Sequence, residues 1–231
     1  MRDLVFLPGF MLNESLWDDM RGDLATLGTL HFGDLGQDDS LAAMADRVLD
    51  NAPDRFVLFG FSMGGFVAQA ITLKAPERVL GLGLLNTSSR AQNAQESAAT
   101  LAQIALAEKA PFKGLTSRAL ASSLHPDRAG DAALLQRLQA MALKNGKEVF
   151  LRQLSTLRDG SYADLHRILC PALIVASDAD RLRTVEESEE MAKRIPAARF
   201  EIVRDCGHMT PLEKPQELAR IINEWIADAG L

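Results

Sequence analysis

Cysteine, tyrosine and tryptophan are scarce in this chain, with two, one and two residues among 231. Two cysteines cannot build a disulfide framework, and Cys170 and Cys206 have no metal-ligand spacing with another cysteine. Cys206 stands two residues before His208 and reads as a small apolar residue at a strand end. Trp17 and Trp225 read as packing residues on helices. No apolar run reaches the roughly 20 residues of a membrane helix. The apolar part of the N-terminus, Leu4-Val5-Phe6-Leu7, is too short for a signal peptide and reads as a strand. A cytoplasmic location without a membrane partner is therefore expected. A basic stripe is also missing, and the net charge is -6, which argues against nucleic acid as a partner. An acidic substrate stays open, because a few local arginines suffice to bind one. Neither a metal-ligand cluster nor a Gly-rich phosphate loop is visible, so no metal and no cofactor are expected.

Apolar residues, at 47% against 24% charged, suffice for one α/β domain over residues 1–231. Apolar runs at 3–7, 29–35, 56–61, 79–85, 172–176 and 198–203 read as strands. Helical spacing covers 15–27, 40–51, 62–75, 186–195 and 215–229. This alternation predicts a doubly wound, mostly parallel sheet of about six strands, with ligands outside the carboxyl ends of the strands. From about 91 to 160 the strand signals vanish. Four helical stretches follow one another there, one around 101–108 and three at 115–124, 132–143 and 148–157. Pro111, Gly114, Pro126, Gly130 and Gly146 punctuate them. A single crossover needs only one helix. The stretch reads as a helical lid over the sheet edge, with the core at 1–90 and 161–231.

One segment organises the rest. An apolar strand leads into Gly60-Phe61-Ser62-Met63-Gly64, and an apolar helix follows. In that context Gly-x-Ser-x-Gly is a sharp turn that presents the serine hydroxyl at a helix N-terminus. A serine of this kind needs a base, an orienting acid and oxyanion donors. His208 is the one histidine of four that follows a strand in a Gly-His loop, and it is read as the base. Asn86, at the exit of the fourth strand, carries no charge. Asp178 and Asp180 both follow the fifth strand. Asp180 is preferred as the acid, since a short turn lets it swing back beneath the histidine, and Asp178 is read as a turn residue. Whether Asp178 shares the acid role stays open. The backbone N–H groups of Phe10 and Met63 are the expected oxyanion donors. Met11, Phe61, Arg90 and Met209 are candidate substrate contacts.

These pieces resemble the α/β-hydrolase fold family over nearly the whole chain. The matching segments are Leu7-Pro8-Gly9-Phe10, Gly60-Phe61-Ser62-Met63-Gly64-Gly65, Asp180, and Gly207-His208 followed by Glu213-Lys214-Pro215. The chain looks closest to the small bacterial group that contains carboxylesterases and 3-oxoadipate enol-lactone hydrolases. It departs from the pattern in opening at the strand before Gly9, without the usual first two strands, and in carrying Pro8 where many relatives have His. The resemblance implies a cofactor-free serine hydrolase acting on a small ester, thioester or lactone through an acyl-enzyme. A C–C bond hydrolase or lyase of the same fold is the alternative, as is a weakly catalytic binding or sensor protein. The partner implied is a small acyl substrate. Oligomeric state is not readable.

Overall fold

The structure is a computed structural model and describes residues 2–231. Six strands form one sheet: β1 (Asp3–Leu7), β2 (Thr29–Phe32), β3 (Phe56–Phe61), β4 (Val79–Leu85), β5 (Ala172–Ser177) and β6 (Ala198–Val203). Their order is β2-β1-β3-β4-β5-β6, and every neighbouring pair is parallel. Nine α-helices surround the sheet among the described residues. They are α1 (Arg21–Ala25), α2 (Leu41–Asn51), α3 (Met63–Lys74), α4 (Ala94–Lys109), α5 (Ser117–Ser122), α6 (Ala132–Ser155), α7 (Val185–Arg194), α8 (Thr210–Glu213) and α9 (Pro215–Asp228).

Successive strand residues point to opposite faces of a sheet, and the core divides accordingly. Leu4, Phe6, Val57, Phe59 and Val175 pack with Trp17, Met20 and the inner face of α9. Val5, Leu7, Leu58, Leu84 and Ile174 pack with Met44 and Val48 of α2, Val67 and Ile71 of α3, and Met191 of α7. Both faces are thus covered, which explains why β3 is buried at all six positions. Trp17 meets the Phe6 ring at 5.0 Å, and Trp225 meets Phe59 edge-on at 5.8 Å, so both tryptophans serve packing.

Several boundaries differ from the sequence reading. The expected helix at 15–27 is a 3-10 helix, Glu14–Met20, joined to the short α1. β2 stops at Phe32 rather than running to 35. The stretches 132–143 and 148–157 belong to one segment, α6, which breaks at Gly146 (φ 79°, ψ -177°). Glycine takes that left-handed value without the steric cost a side chain would add. The short helix α8, directly after His208-Met209, has no counterpart in the sequence reading. The segment between β4 and β5 is helical. Leu120, Leu124, Leu134 and Leu138 tie it to the core face beneath α9 and the Trp17 helix.

Candidate active site

Ser62 ends β3 and caps α3 with φ 52° and ψ -114°, a strained conformation for a residue with a side chain. The surroundings hold it there. Its N–H donates to Leu85 O of β4 (2.9 Å), and its carbonyl accepts from Thr87 Oγ1 (2.6 Å). The two motif glycines are required by space. A Cβ on Gly60 would come within 2.4 Å of Gly64 O, and one on Gly64 within 2.5 Å of Leu7 O. The chain of β1 therefore passes directly over the turn, as the tight strand-to-helix geometry demands.

Three polar side chains meet above this turn. His208 Nε2 lies 2.9 Å from Ser62 Oγ, and His208 Nδ1 lies 2.7 Å from Asp180 Oδ2. The side chains of His208 and Asp180 are almost fully buried, at 3% and 0% exposed. Asp180 Oδ1 accepts the backbone N–H groups of Leu182 (2.8 Å) and Arg183 (2.9 Å). Burial pushes the Asp180 carboxyl up. The His208 charge and hydrogen bond, with those two N–H groups, outweigh burial and leave it below the usual carboxylate value. Asp178 does something different. Its Oδ1 accepts the Cys206 N–H (3.3 Å) and ties the β5 and β6 exits together. The structure thus brings Ser62, His208 and Asp180 into one hydrogen-bonded chain.

The support for Asp180 was not visible in the sequence. Asn86, passed over for lack of charge, donates Nδ2 to Asp180 Oδ2 (3.1 Å) and to Ser177 Oγ (2.9 Å). Its own Oδ1 accepts from Thr210 Oγ1 (2.6 Å), which also lies 2.7 Å from Ser177 Oγ. These residues come from three separate strand exits, so only the sheet order makes them neighbours. Their polarity at strand ends was the one available signal. Glu213 is the second residue missed. It is 7% exposed, and its two oxygens accept the N–H of His125 (2.7 Å) and of Met209 (3.2 Å). His208 N–H in turn donates to Ser123 O (2.9 Å). Gly207 fits beneath this join, where a Cβ would fall 2.2 Å from His125 N.

Gly9 brings the loop after β1 against the serine, since a Cβ there would be 3.1 Å from Ser62 Cβ. Among the described residues, neither the Phe10 N–H nor the Met63 N–H has a protein acceptor. The Met11 N–H donates to Gln153 Oε1 of α6 (2.8 Å), and Gln153 Nε2 donates to Leu35 O (3.1 Å). Gln153, also missed, therefore clamps the loop that carries Phe10.

A cavity of about 210 Å³ opens over Ser62 and His208. Phe10, Leu12, Leu120, Leu138, Leu182 and Met209 give it a largely apolar wall, and Gln103 of α4 reaches into it. Larger hollows of about 430 and 580 Å³ lie beside α2 and α3, but neither is lined by Ser62 or His208. Of the four candidate substrate contacts, Met209 lines the cavity. The other three do not. Met11 is fully buried and packs with Ala142 and Phe150. Phe61 lies inside the core, its ring 5.2 Å from that of His208, because its strand position points beneath the turn. Arg90 is held by carboxylates, donating Nε to Glu187 (2.8 Å) and Nη2 to Glu96 (2.6 Å). Among the described residues no group of three His, Cys, Asp or Glu side chains forms a metal-binding cluster, and no helix is long and apolar enough to cross a membrane.

Comparison with known proteins agrees with this architecture. The pimeloyl-[acyl-carrier protein] methyl ester esterase of Nitrosomonas europaea is 28% identical over 93% of this chain and 92% of its own length. The protein of that name from Klebsiella pneumoniae is 44% identical over 87 residues, about a third of each chain. Among solved structures, a thermophilic esterase from Thermogutta terrifontis superposes with a TM-score of 0.88 at 23% identity, covering 99% of this chain and 90% of that one. The enol-lactonase from Burkholderia xenovorans LB400 superposes with a TM-score of 0.84 at 16% identity, covering 98% and 91%. At those identities the likeness establishes the fold. The model of the alpha/beta hydrolase family matches residues 4–221, which takes in all six strands except Asp3 of β1, and on that span the chain belongs to this family and is a hydrolase.

Proposed function

We propose that the chain is a serine hydrolase that cleaves a small carboxylic ester. The observation that carries this reading is the hydrogen-bonded series Ser62–His208–Asp180 at the floor of an apolar cavity. Ser62 Oγ attacks the ester carbonyl carbon while His208 Nε2 takes its proton. Asp180 holds the imidazole by Nδ1 and stabilises its positive form. The carbonyl oxygen becomes an oxyanion between the Phe10 and Met63 N–H groups, which are free of protein acceptors among the described residues. The carbon–oxygen bond to the alcohol breaks, and the alcohol leaves with the proton from His208. Water then attacks the acyl-enzyme, giving its proton to His208, and Ser62 is regenerated with release of the acid. The cavity suits a short apolar acyl or alkyl group, and the relatives named as methyl ester esterases favour an ester over the thioester and lactone alternatives. Residues 91–160 act as a lid that sets which groups enter.

Fluorophosphonate labelling of the wild type and of Ser62→Ala, with p-nitrophenyl esters of increasing acyl length, tests the reading. Labelling confined to the wild type, with turnover of short esters, is expected. Equal labelling of the variant, or turnover close to wild type, would overturn it. Labelling without ester turnover would move the reaction to C–C cleavage or lyase chemistry on the same serine.

A further inference from the structure

Arg90 was the sequence candidate for a substrate carboxylate, and Glu96 and Glu187 occupy it. Two other arginines come to the same corner without such partners. The guanidinium carbons of Arg158 and Arg183 lie 5.8 and 5.6 Å from the centroid of the Phe66 ring. Neither guanidinium has an ion pair or a hydrogen bond to any described residue. Both side chains are half-buried, and the Arg183 Nε is buried with no acceptor. A desolvated guanidinium nitrogen without a partner is costly and asks for one.

The charge count points the same way. Arg90, Arg158 and Arg183 face two carboxylates, Glu96 and Glu187, while the nearby Asp180 is committed to His208. Burial draws the pKa of both free guanidiniums down, and the Arg183 charge draws Arg158 further. Glu187, Asp180 and Glu96 pull the Arg183 value back up, and Glu96 the Arg158 value, but burial outweighs them. Glu187 Oε2 is also buried and has no hydrogen-bond partner.

Phe66 lines the hollow of about 580 Å³ beside α3, and the chain links this corner to the catalytic cavity. Phe66 stands four residues after Ser62, about one turn or 5.4 Å along α3. Leu182, next to Arg183, lines the cavity with Ser62. The Arg183 N–H itself is bonded to Asp180. Stacking on an aromatic face leaves the in-plane N–H edges of a guanidinium free, and those edges match a carboxylate.

We infer that Arg158 and Arg183, on the Phe66 ring, form a carboxylate-binding site, and that the ester substrate carries a free carboxylate a few carbons from the scissile carbonyl. Cleavage of such a substrate rests on the serine-hydrolase reading, whereas its binding does not.

The test compares monomethyl with dimethyl esters of succinate, glutarate, adipate and pimelate. The wild type is expected to prefer a monomethyl ester, with the ratio of kcat/KM values peaking at one chain length. In Arg158→Gln and in Arg183→Gln that ratio falls about 10- to 100-fold, the worth of a charge-assisted pair. Arg158→Gln, in the segment after α6, keeps the test open should Arg183→Gln fail to fold. Calorimetry of the best monomethyl ester with Ser62→Ala reads binding without turnover, and adding Arg158→Gln should weaken it by at least about 10-fold. If the wild type hydrolyses neither ester of any of the four acids, the ester-cleavage reading fails, while calorimetry with the monomethyl esters still decides the site. A ratio within twofold of wild type in both arginine variants, or unchanged calorimetric affinity, overturns the site.

Discussion

Ser62, Asp180 and His208 each stand just beyond the end of a strand, in turns crossed by several hydrogen bonds, whereas α4 in the segment above them buries none of its 16 residues. Leu101 and Leu106 of α4 are 68% and 71% exposed. The cover is not uniform, since α6 buries Leu134, Leu138, Met141 and Phe150. The sheet edge is held by strand pairing and by a network spanning β4, β5 and α8. The cover is held by one well-packed helix and a few polar clamps, chiefly Glu213 and Gln153. Two demands are kept apart in this way. On the proposed mechanism, proton transfer tolerates little displacement, and its groups sit where strand pairing and side-chain hydrogen bonds hold the chain. Under the same proposal, admission of substrate tolerates displacement and falls to helices with less to lose.

Substitutions can break that contrast. Asp180→Asn leaves the sheet edge the same in shape but removes the charge behind His208. A loss of about 10⁴-fold in kcat is expected, against a few-fold for Asp178→Asn. Steady-state kinetics on one ester decide between the two acids, and similar losses would mean that Asp178 shares the role.

Glu213→Ala attacks the joint between the regions. It strips the His125 and Met209 N–H groups of their acceptor, and a destabilisation of about 2–3 kcal/mol follows. Thermal unfolding should then shift down by roughly 5–10 °C, with Glu213→Gln recovering part of the loss. An unchanged melting temperature would show that the joint contributes nothing.

Acid pH should weaken the edge before the cover. The folded-state pKa of Asp180 lies below its unfolded value, so the unfolded chain takes up the proton first as pH falls. The contribution of this carboxylate is whole above the ordinary carboxylate range near 4 and drains away as pH drops through the folded value. Asp180→Asn should flatten the stability slope in that window, which denaturant titrations at several pH values measure. Glu96 has the same sign, held down at about 2 chiefly by its hydrogen bond to Arg90, but solvent screens that exposed pair. The smallest effect belongs to α4. Leu101→Ser should move stability by less than about 0.5 kcal/mol, and a larger loss would reveal packing on that helix in solution.

Much of this was legible in residue order. The strand runs around Ser62 and the Gly-His loop are local patterns, and locality is what a sequence displays. Ser62, His208 and Asp180 could be picked out because each follows a strand in the parallel alternation, and parallel strands bring their carboxyl ends to one edge. Met11, Phe61 and Arg90 were misplaced because nearness to a motif does not reveal which way a side chain points. Phe61 alternates into the core, and Arg90 meets carboxylates six and 97 residues away.

Residue order alone dictates the hydrolase fold, the strained serine turn and the succession of serine, acid and histidine, because periodicity and glycine placement act within a few residues. The surroundings of those three groups are a property of the assembled chain. Asn86, Ser177 and Thr210 behind Asp180, Glu213 joining His208 to the cover, and the unpaired Arg158 and Arg183 on Phe66 all depend on segments far apart in sequence. Hydrogen bonds and desolvation act over a few ångströms, and those distances exist only once the sheet has formed.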